Sequence, residues 1–139
     1  MLYSITKSIR AELLKRLKEL RDVQKFNNQY EGIIHAEPIA FIEYPDPIEV
    51  LPISKQTRRA DIDVRIHIAS KILSDVDGVI PDKQQLAHEL MAIKAKNYLD
   101  GFLPSADCSR LIFRSWQDVA EYKGWLVTWL DLTFARIES

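Results

Sequence analysis

Apolar side chains occupy both sets of alternate positions in the last segment of the chain, residues 124–137. One set is mainly aliphatic: Leu126, Thr128, Leu130, Leu132 and Phe134. The other set carries two tryptophans: Trp125, Val127, Trp129, Asp131 and Thr133. Successive side chains of a β-strand point to opposite sides of its sheet, so this pattern predicts a strand with two apolar faces. One face of such a sheet usually meets water; here, either helices cover both faces or another protein chain covers one.

Two segments carry the spacing of three and four residues that is typical of an amphipathic helix. The first runs from Ser4 to Lys25, with Ser4 as its expected N-cap. Its apolar stripe consists of Ile5, Ile9, Leu13, Leu17, Leu20 and Val23. The second helix runs from Asp82 to Leu99, with Asp82 as its expected N-cap. Its core-facing stripe is predicted to be Leu86, Leu90 and Ile93.

Three further segments, residues 38–44, 61–68 and 109–116, are predicted to be strands. The second of them alternates strictly, which predicts one buried face and one wet face. The buried face consists of Ile62, Val64, Ile66 and Ile68, and the wet face of Asp61, Asp63, Arg65 and His67. Between the first two strands, three prolines predict a long irregular loop at about residues 44–60. We expect the last two strands of the chain to pair antiparallel.

The element order α-β-β-α-β-β is typical of an α+β fold. We therefore predict a mainly antiparallel sheet of about four strands with two main helices packed on it. The size of the chain, residues 1–139, predicts a single domain.

Charge and cysteine content narrow the classes of function. The chain has 19 basic and 20 acidic residues and a net charge of −1, so it lacks the positive surplus that phosphate binding requires. The one cysteine, Cys108, fits a reducing compartment, and we expect a small half-buried side chain there instead of a nucleophile. Neither a signal peptide nor an apolar run of membrane-spanning length is apparent, so we expect a soluble, cytoplasmic protein.

Two groups of residues resemble metal sites, but a simpler interpretation accounts for each. His67 shares a strand face with Asp61 and Asp63, but an exposed polar strand face accounts for these residues as well. Residues 75–78 resemble the start of a calcium loop, but Gln84 stands where that loop requires a glutamate, and a turn is the simpler interpretation. The sequence therefore predicts no catalytic residues, no metal site and no cofactor. We expect a protein that is not an enzyme.

Two groups of side chains are candidate contact surfaces. Lys55, Arg58 and Arg59 form a local basic cluster, which is either a solvated loop or an arm that contacts a partner or lines a lumen. Trp125, Val127 and Trp129 share one face of the last strand, and we expect them to form a subunit interface, because large aromatic residues are enriched where proteins meet. The alternative places both tryptophans in the core of the monomer.

The arrangement of these segments resembles the tail-terminator (tail-completion) proteins of long-tailed bacteriophages and prophages, or related minor tail and neck proteins. The resemblance spans most of the chain and lies in the order of the segments more than in any motif. The segments that carry it are residues 23–29, 38–43, 61–68, 99–101 and 110–114, with the long closing strand.

The resemblance implies a subunit of a ring, commonly hexameric, that caps the tail tube and offers a surface to the head connector. DNA would pass through the lumen without specific binding, and neither catalysis nor a membrane would be involved. The protein would be located in the host cytoplasm during assembly and then in the virion tail. The main alternative is a small monomeric or dimeric ligand-binding or regulatory α+β module with a defined pocket. A small enzyme is a third possibility, but no convergent set of catalytic residues supports it.

Overall fold

A computed structural model describes residues 2–27, 38–72, 79–122 and 124–138. These residues form a mixed α+β structure with two helices and a six-stranded sheet. In chain order the elements are α1 (Tyr3–Arg16), β1 (Asp22–Lys25), β2 (Ile39–Glu43), β3 (Glu49–Pro52), β4 (Arg58–Lys71), α2 (Asp82–Leu99), β5 (Ile112–Val119) and β6 (Trp125–Glu138). The predicted α+β class is confirmed, whereas the prediction of about four strands is wrong.

The sheet is built around β4 and β6, which pair antiparallel along their full length. The register runs from Arg58 opposite Glu138 to Lys71 opposite Trp125. The strand order is β1-β2-β4-β6-β5, and β3 pairs with the first residues of β4. The expected antiparallel pairing of the last two strands is confirmed, and β1 with β2 is the parallel exception.

The first helix is shorter than the sequence predicts. It ends at Arg16, and the chain turns through Leu17 before β1 begins at Asp22. All six residues of the predicted stripe are buried, but the last three reach the core from the turn and the strand. The reason is that β1 is held by its pairing with β2, a contact between distant segments that local spacing does not reveal. Leu2 occupies the N-cap position in place of Ser4, and no side chain caps the helix there.

The second helix has the predicted limits, but its predicted core-facing stripe is wrong. Leu86, Leu90 and Ile93 are 56%, 48% and 37% exposed. The face that packs inward consists instead of His88, Met91, Ala92, Ala95 and Leu99. Alanine side chains let a helix approach its neighbours closely, and this helix contacts both α1 and the sheet. The N-cap is Pro81, not Asp82.

Both helices pack on the same face of the sheet. The main core on that face includes Ile5, Leu13, Ile62, Ile66, Ala95 and Leu130. The buried face predicted for residues 61–68 is confirmed, within a strand that is longer at both ends. A smaller cluster lies on the second face, formed by Ile39, Phe41, Ala69, Val119 and Val127. Neither of the two helices therefore covers the second face.

The segment predicted as an irregular loop at 44–60 contains regular structure. β3 and the start of β4 form a hairpin there, closed by a hydrogen bond from the Ile53 N–H to the Thr57 carbonyl, 2.9 Å. A proline is tolerated because Pro52 ends an exposed edge strand, where its missing N–H costs no ladder bond. The next strand, β5, begins three residues later than predicted, because Leu111 instead pairs with Gly101 and Phe102.

We predict that Leu13→Ala lowers the free energy of unfolding by about 2–5 kcal/mol, because it leaves a cavity between α1 and the sheet. Leu13 is fully buried in the main core. Chemical denaturation monitored by circular dichroism measures the change. The matched control is Lys15→Ala on the exposed side of the same helix, with an expected change within about 0.5 kcal/mol. Equal effects of the two substitutions would contradict this placement of α1.

Candidate assembly surfaces

A hairpin of exposed apolar side chains projects at one end of the sheet. We call residues 49–59 the arm; it comprises β3, its turn and the start of β4. Val50, Leu51 and Ile53 on the arm are 45%, 52% and 58% exposed. All four residues of β3 are exposed, so the hairpin gains little from burial within the monomer. Exposed apolar side chains at a strand edge are typical of a surface that meets another chain.

The arm also brings together the basic cluster identified in the sequence. Lys55, Arg58 and Arg59 are all exposed on it. Arg59 makes an ion pair with Asp61 at 2.9 Å, and Arg58 donates to the Ser54 carbonyl at 3.1 Å. Among the described residues, Lys55 and Arg58 have no acidic partner. Because the arm also carries the exposed Glu49, it combines apolar surface with a modest excess of positive charge. Contact with a partner or lumen stays a prediction.

On each of the two other edge strands, a side chain of the same chain forms a hydrogen bond with one backbone group. At β1, the Arg10 guanidinium donates to the Val23 carbonyl at 2.7 Å and to Asp22 at 2.9 Å. At β5, the Asp100 carboxylate accepts a hydrogen bond from the Phe113 N–H at 3.0 Å, next to a bulge. Such bonds and bulges hinder pairing with foreign strands. No described side chain bonds to β3 in this way, so its outer edge is open.

A second exposed apolar surface lies on α2. It is the stripe of Leu86, Leu90 and Ile93 that the sequence assigned to the core, and we call it the α2 stripe. Positions separated by three or four residues share one side of a helix, so these side chains form a continuous surface. Asp82, Lys83 and Glu89 lie beside these side chains, and none of the three makes an ion pair within the described ranges. The stripe is thus apolar with charges of both signs beside it.

The predicted interface on the last strand is partly covered. Val127 is buried in the cluster on the second face, and Trp125 and Trp129 are half-buried beside it. The Arg65 guanidinium lies 4.1 Å from the centre of the Trp129 ring, a cation–π contact. Arg65 also makes an ion pair with Asp131 at 2.9 Å. The structure brings the three predicted residues together on one face, but their role in an interface stays a prediction.

The strand face predicted to be wet is not wet at His67, which is fully buried. The Phe26 ring stacks on the imidazole at 4.3 Å, and Trp129 lies against it at 5.5 Å. Its Nε2 is 2.8 Å from Glu43 Oε1, and a carboxylate only accepts, so Nε2 carries the hydrogen. Burial lowers the pKa of His67, although Glu43 opposes that shift. The described residues contain no group of three or more side chains that suits a metal ion.

A buried polar chain joins α2 to the sheet, and the sequence analysis missed it. The Thr128 hydroxyl donates to Asp118 at 2.9 Å, so it accepts from His88 Nε2 at 2.9 Å. His88 Nδ1 then accepts from the Ser70 hydroxyl at 2.8 Å. The sequence did carry a signal for it: His88, Met91, Ala92 and Ala95 are spaced three or four residues apart, which places them on one side of a helix. Burial lowers the pKa of His88 to about 4.

His88, Asp118 and Thr128 also line a pocket of about 490 Å³ between α2 and the neighbouring ends of β5 and β6.

Cys108 lies elsewhere, at an isolated bridge with Arg136. Burial, together with the nearby Asp107 carboxylate, raises the pKa of the Cys108 thiol to about 11. A thiol with that pKa is almost entirely protonated at neutral pH, which argues against a nucleophilic role. The calcium-loop candidate at residues 75–78 lies outside the described residues, as does His35.

Comparison with known proteins gives a likeness to solved structures. No protein-family model matches the sequence, and no curated protein matches it. Among solved structures, the chain is similar to a chain of the "Virion of native gene transfer agent (GTA) particle". The identity is 16%, 99% of each chain is covered, and the TM-score is 0.48. Likeness of this degree does not establish a shared function.

Within the described ranges, neither helix is long and apolar enough to cross a membrane.

We predict that the protein loses stability as the pH falls from 6.5 to 4. The unfolded His88 binds a proton near pH 6.5, whereas the folded one does so only near pH 4, so protons favour unfolding in that window. The expected loss between pH 7 and pH 4 is about 3 kcal/mol from this residue. Urea denaturation across the pH range measures it. His88→Gln should flatten the dependence and leave a contribution of His67 in the same direction, and an unchanged slope would contradict the assignment.

We predict that Trp125→Ser combined with Trp129→Ser leaves a folded monomer that no longer assembles. Because both rings are half-buried, we also expect a loss of about 2 kcal/mol of stability. Circular dichroism reports folding, and light scattering reports mass. The matched control is Trp116→Ser, a half-buried tryptophan on the helix-covered face, which should lose stability without losing assembly. Unfolding of the double variant would instead place both tryptophans in the monomer core.

Proposed function

We propose that this chain is a non-enzymatic structural subunit of a phage or prophage tail, a tail terminator that caps the tail tube as a ring. The observation that carries the proposal is the presence of two exposed apolar surfaces on different elements, the arm and the α2 stripe. Two unlike surfaces suit heterologous contacts, in which one patch meets a different patch on the next subunit, and such contacts form a ring when the rotation between neighbours closes. The resemblance of the segment order to tail-terminator proteins supplies the biological setting.

In this proposal a homo-oligomeric ring, of about six subunits, joins the tail tube to the head-connector proteins. DNA passes through its lumen without specific binding. The near-balanced charge of the chain, −1 overall, suits a lumen along which DNA slides without sticking. Subunits accumulate in the host cytoplasm and end in the virion tail. The arm, with Lys55, Arg58 and Arg59, contacts a neighbouring subunit or faces the lumen.

The pocket beside His88 favours a second candidate function, a small ligand-binding or regulatory module. Its volume of about 490 Å³ falls within the range of small-molecule sites, and His88, Asp118 and Thr128 supply polar groups to its wall. This candidate predicts a monomer or dimer whose melting temperature rises with a bound small molecule. It does not account for the open strand edge and the exposed apolar stripe.

We predict that the purified protein forms closed rings of about six subunits, alone or on a tail tube. Light scattering across a concentration series gives the mass, and negative-stain images show the shape of any large species. If the protein alone is monomeric, purified tail tube is added and the tube ends are examined. A monomer that leaves tube ends bare would overturn the tail-terminator proposal and favour the ligand-binding module. Bovine serum albumin in place of the subunit controls for nonspecific coating of tubes.

A further inference from the structure

We propose that the pocket between α2 and the ends of β5 and β6 binds a small organic cation, an amine or guanidinium carried on an apolar body. The described residues of its wall include two carboxylates, Glu89 and Asp118, and neither a lysine nor an arginine. The inference goes beyond the proposed ring, since no described residue of the wall belongs to the arm or to the α2 stripe. It also names a ligand class for the second candidate function, the binding module.

The fold sets the two carboxylates on different walls of this one pocket. Glu89 lies on α2 directly after His88, whose Nε2 donates to the Thr128 hydroxyl at 2.9 Å. Asp118 lies on β5, opposite Thr128 in the ladder with β6, and accepts a hydrogen bond from the same hydroxyl at 2.9 Å. The buried polar chain therefore ties the helix wall that carries Glu89 to the strand wall that carries Asp118.

Each carboxylate has accepting capacity that the described part of the chain does not use. Asp118 Oδ1 accepts hydrogen bonds from Trp116 Nε1 at 3.1 Å and from Thr128, whereas its Oδ2 has no partner among the described residues. Glu89 makes neither a hydrogen bond nor an ion pair with any of them. None of the residues three or four positions from Glu89 along the helix is basic, so α2 supplies no ion pair for it.

The described wall of the pocket is negatively charged at neutral pH. Burial lowers the pKa of His88 to about 4, so its imidazole is neutral there. Burial also raises the pKa of the Tyr122 hydroxyl above its usual value, so this group is uncharged as well. Two carboxylates in one concave site attract a cation more strongly than the same groups on an open surface, because the apolar walls focus their field.

The rest of the wall suits an apolar body. Ile72, Ile80 and Leu126 are partly buried residues that line it. The volume of about 490 Å³ accommodates a single aromatic ring or a short alkyl chain that carries one charged group. The two carboxylates repel an anionic ligand, so the same pocket rejects carboxylates and phosphates of similar size.

The test compares three compounds that share a phenylethyl body and differ in charge: phenethylamine, phenethyl alcohol and hydrocinnamate. Isothermal titration calorimetry on the full chain gives the dissociation constants, and backbone amide shifts in NMR spectra show where each compound binds. We expect the amine to bind about tenfold more tightly than the neutral alcohol, which corresponds to about threefold from each carboxylate. We expect the anionic hydrocinnamate not to bind.

The variants are Glu89→Gln and Asp118→Asn, which remove one negative charge each and keep the size of the side chain. Asparagine retains the Oδ1 that accepts from Thr128 and Trp116, so the fold is preserved. We expect each variant to weaken binding of phenethylamine about threefold without changing binding of the alcohol, because only the charge is lost. The matched control is Asp82→Asn, which removes a carboxylate from the same helix outside the described wall and should change neither constant.

Four outcomes would overturn this inference: no binding of phenethylamine, equal binding of the amine and the alcohol, amide shifts away from the pocket, or amine binding that neither variant weakens. Ring formation is measured separately by light scattering. Failure of the cation site therefore leaves the ring proposal standing, and failure of the ring leaves the cation site standing.

Discussion

The ladder between β4 and β6 is the constraint on which the rest of the structure depends. Both strands are 14 residues long and pair at every position from Arg58 to Lys71. Because the side chains of a strand alternate, this one register decides which residues face the helices and which face the opposite side.

Polar side chains that are buried on the helix-covered face of the sheet need hydrogen-bond partners, because water cannot reach them. His88 does so through Ser70 and Thr128, and Thr128 in turn reaches Asp118. These bonds fix α2 against β4, β5 and β6 at one end of the sheet. On the other face, Glu43 satisfies His67 beneath Phe26. Each histidine stays neutral because burial disfavours its charged form, so both anchors depend on pH in the same direction.

The distribution of apolar surface supports the proposed assembly over the alternative of a small-molecule-binding module. Side chains of the same chain bond a backbone group on the edges of β1 and β5, whereas no described side chain does so on β3, which has three large exposed apolar residues on or beside it. It also places a leucine–isoleucine stripe on the outer side of α2. A monomeric binding module gains nothing from such surfaces and risks aggregation through them. A subunit that meets copies of itself, as we propose, would bury both surfaces.

Local pattern alone determined much of the fold. The α+β class, the limits of α2, the strands at 39–43 and 125–138 and the buried face of residues 62–68 follow from periodicity, because side-chain spacing is a local property. Only tertiary structure decided that residues 22–25 form a strand, since their partner at Ile39 is distant in the chain. The same holds for the side of α2 that faces inward: it has apolar residues on two sides, and packing against α1 and the sheet chose the alanine side. The sequence therefore named Lys55, Arg58 and Arg59 as candidates, but the α2 stripe became visible as a surface only once the fold had left it uncovered.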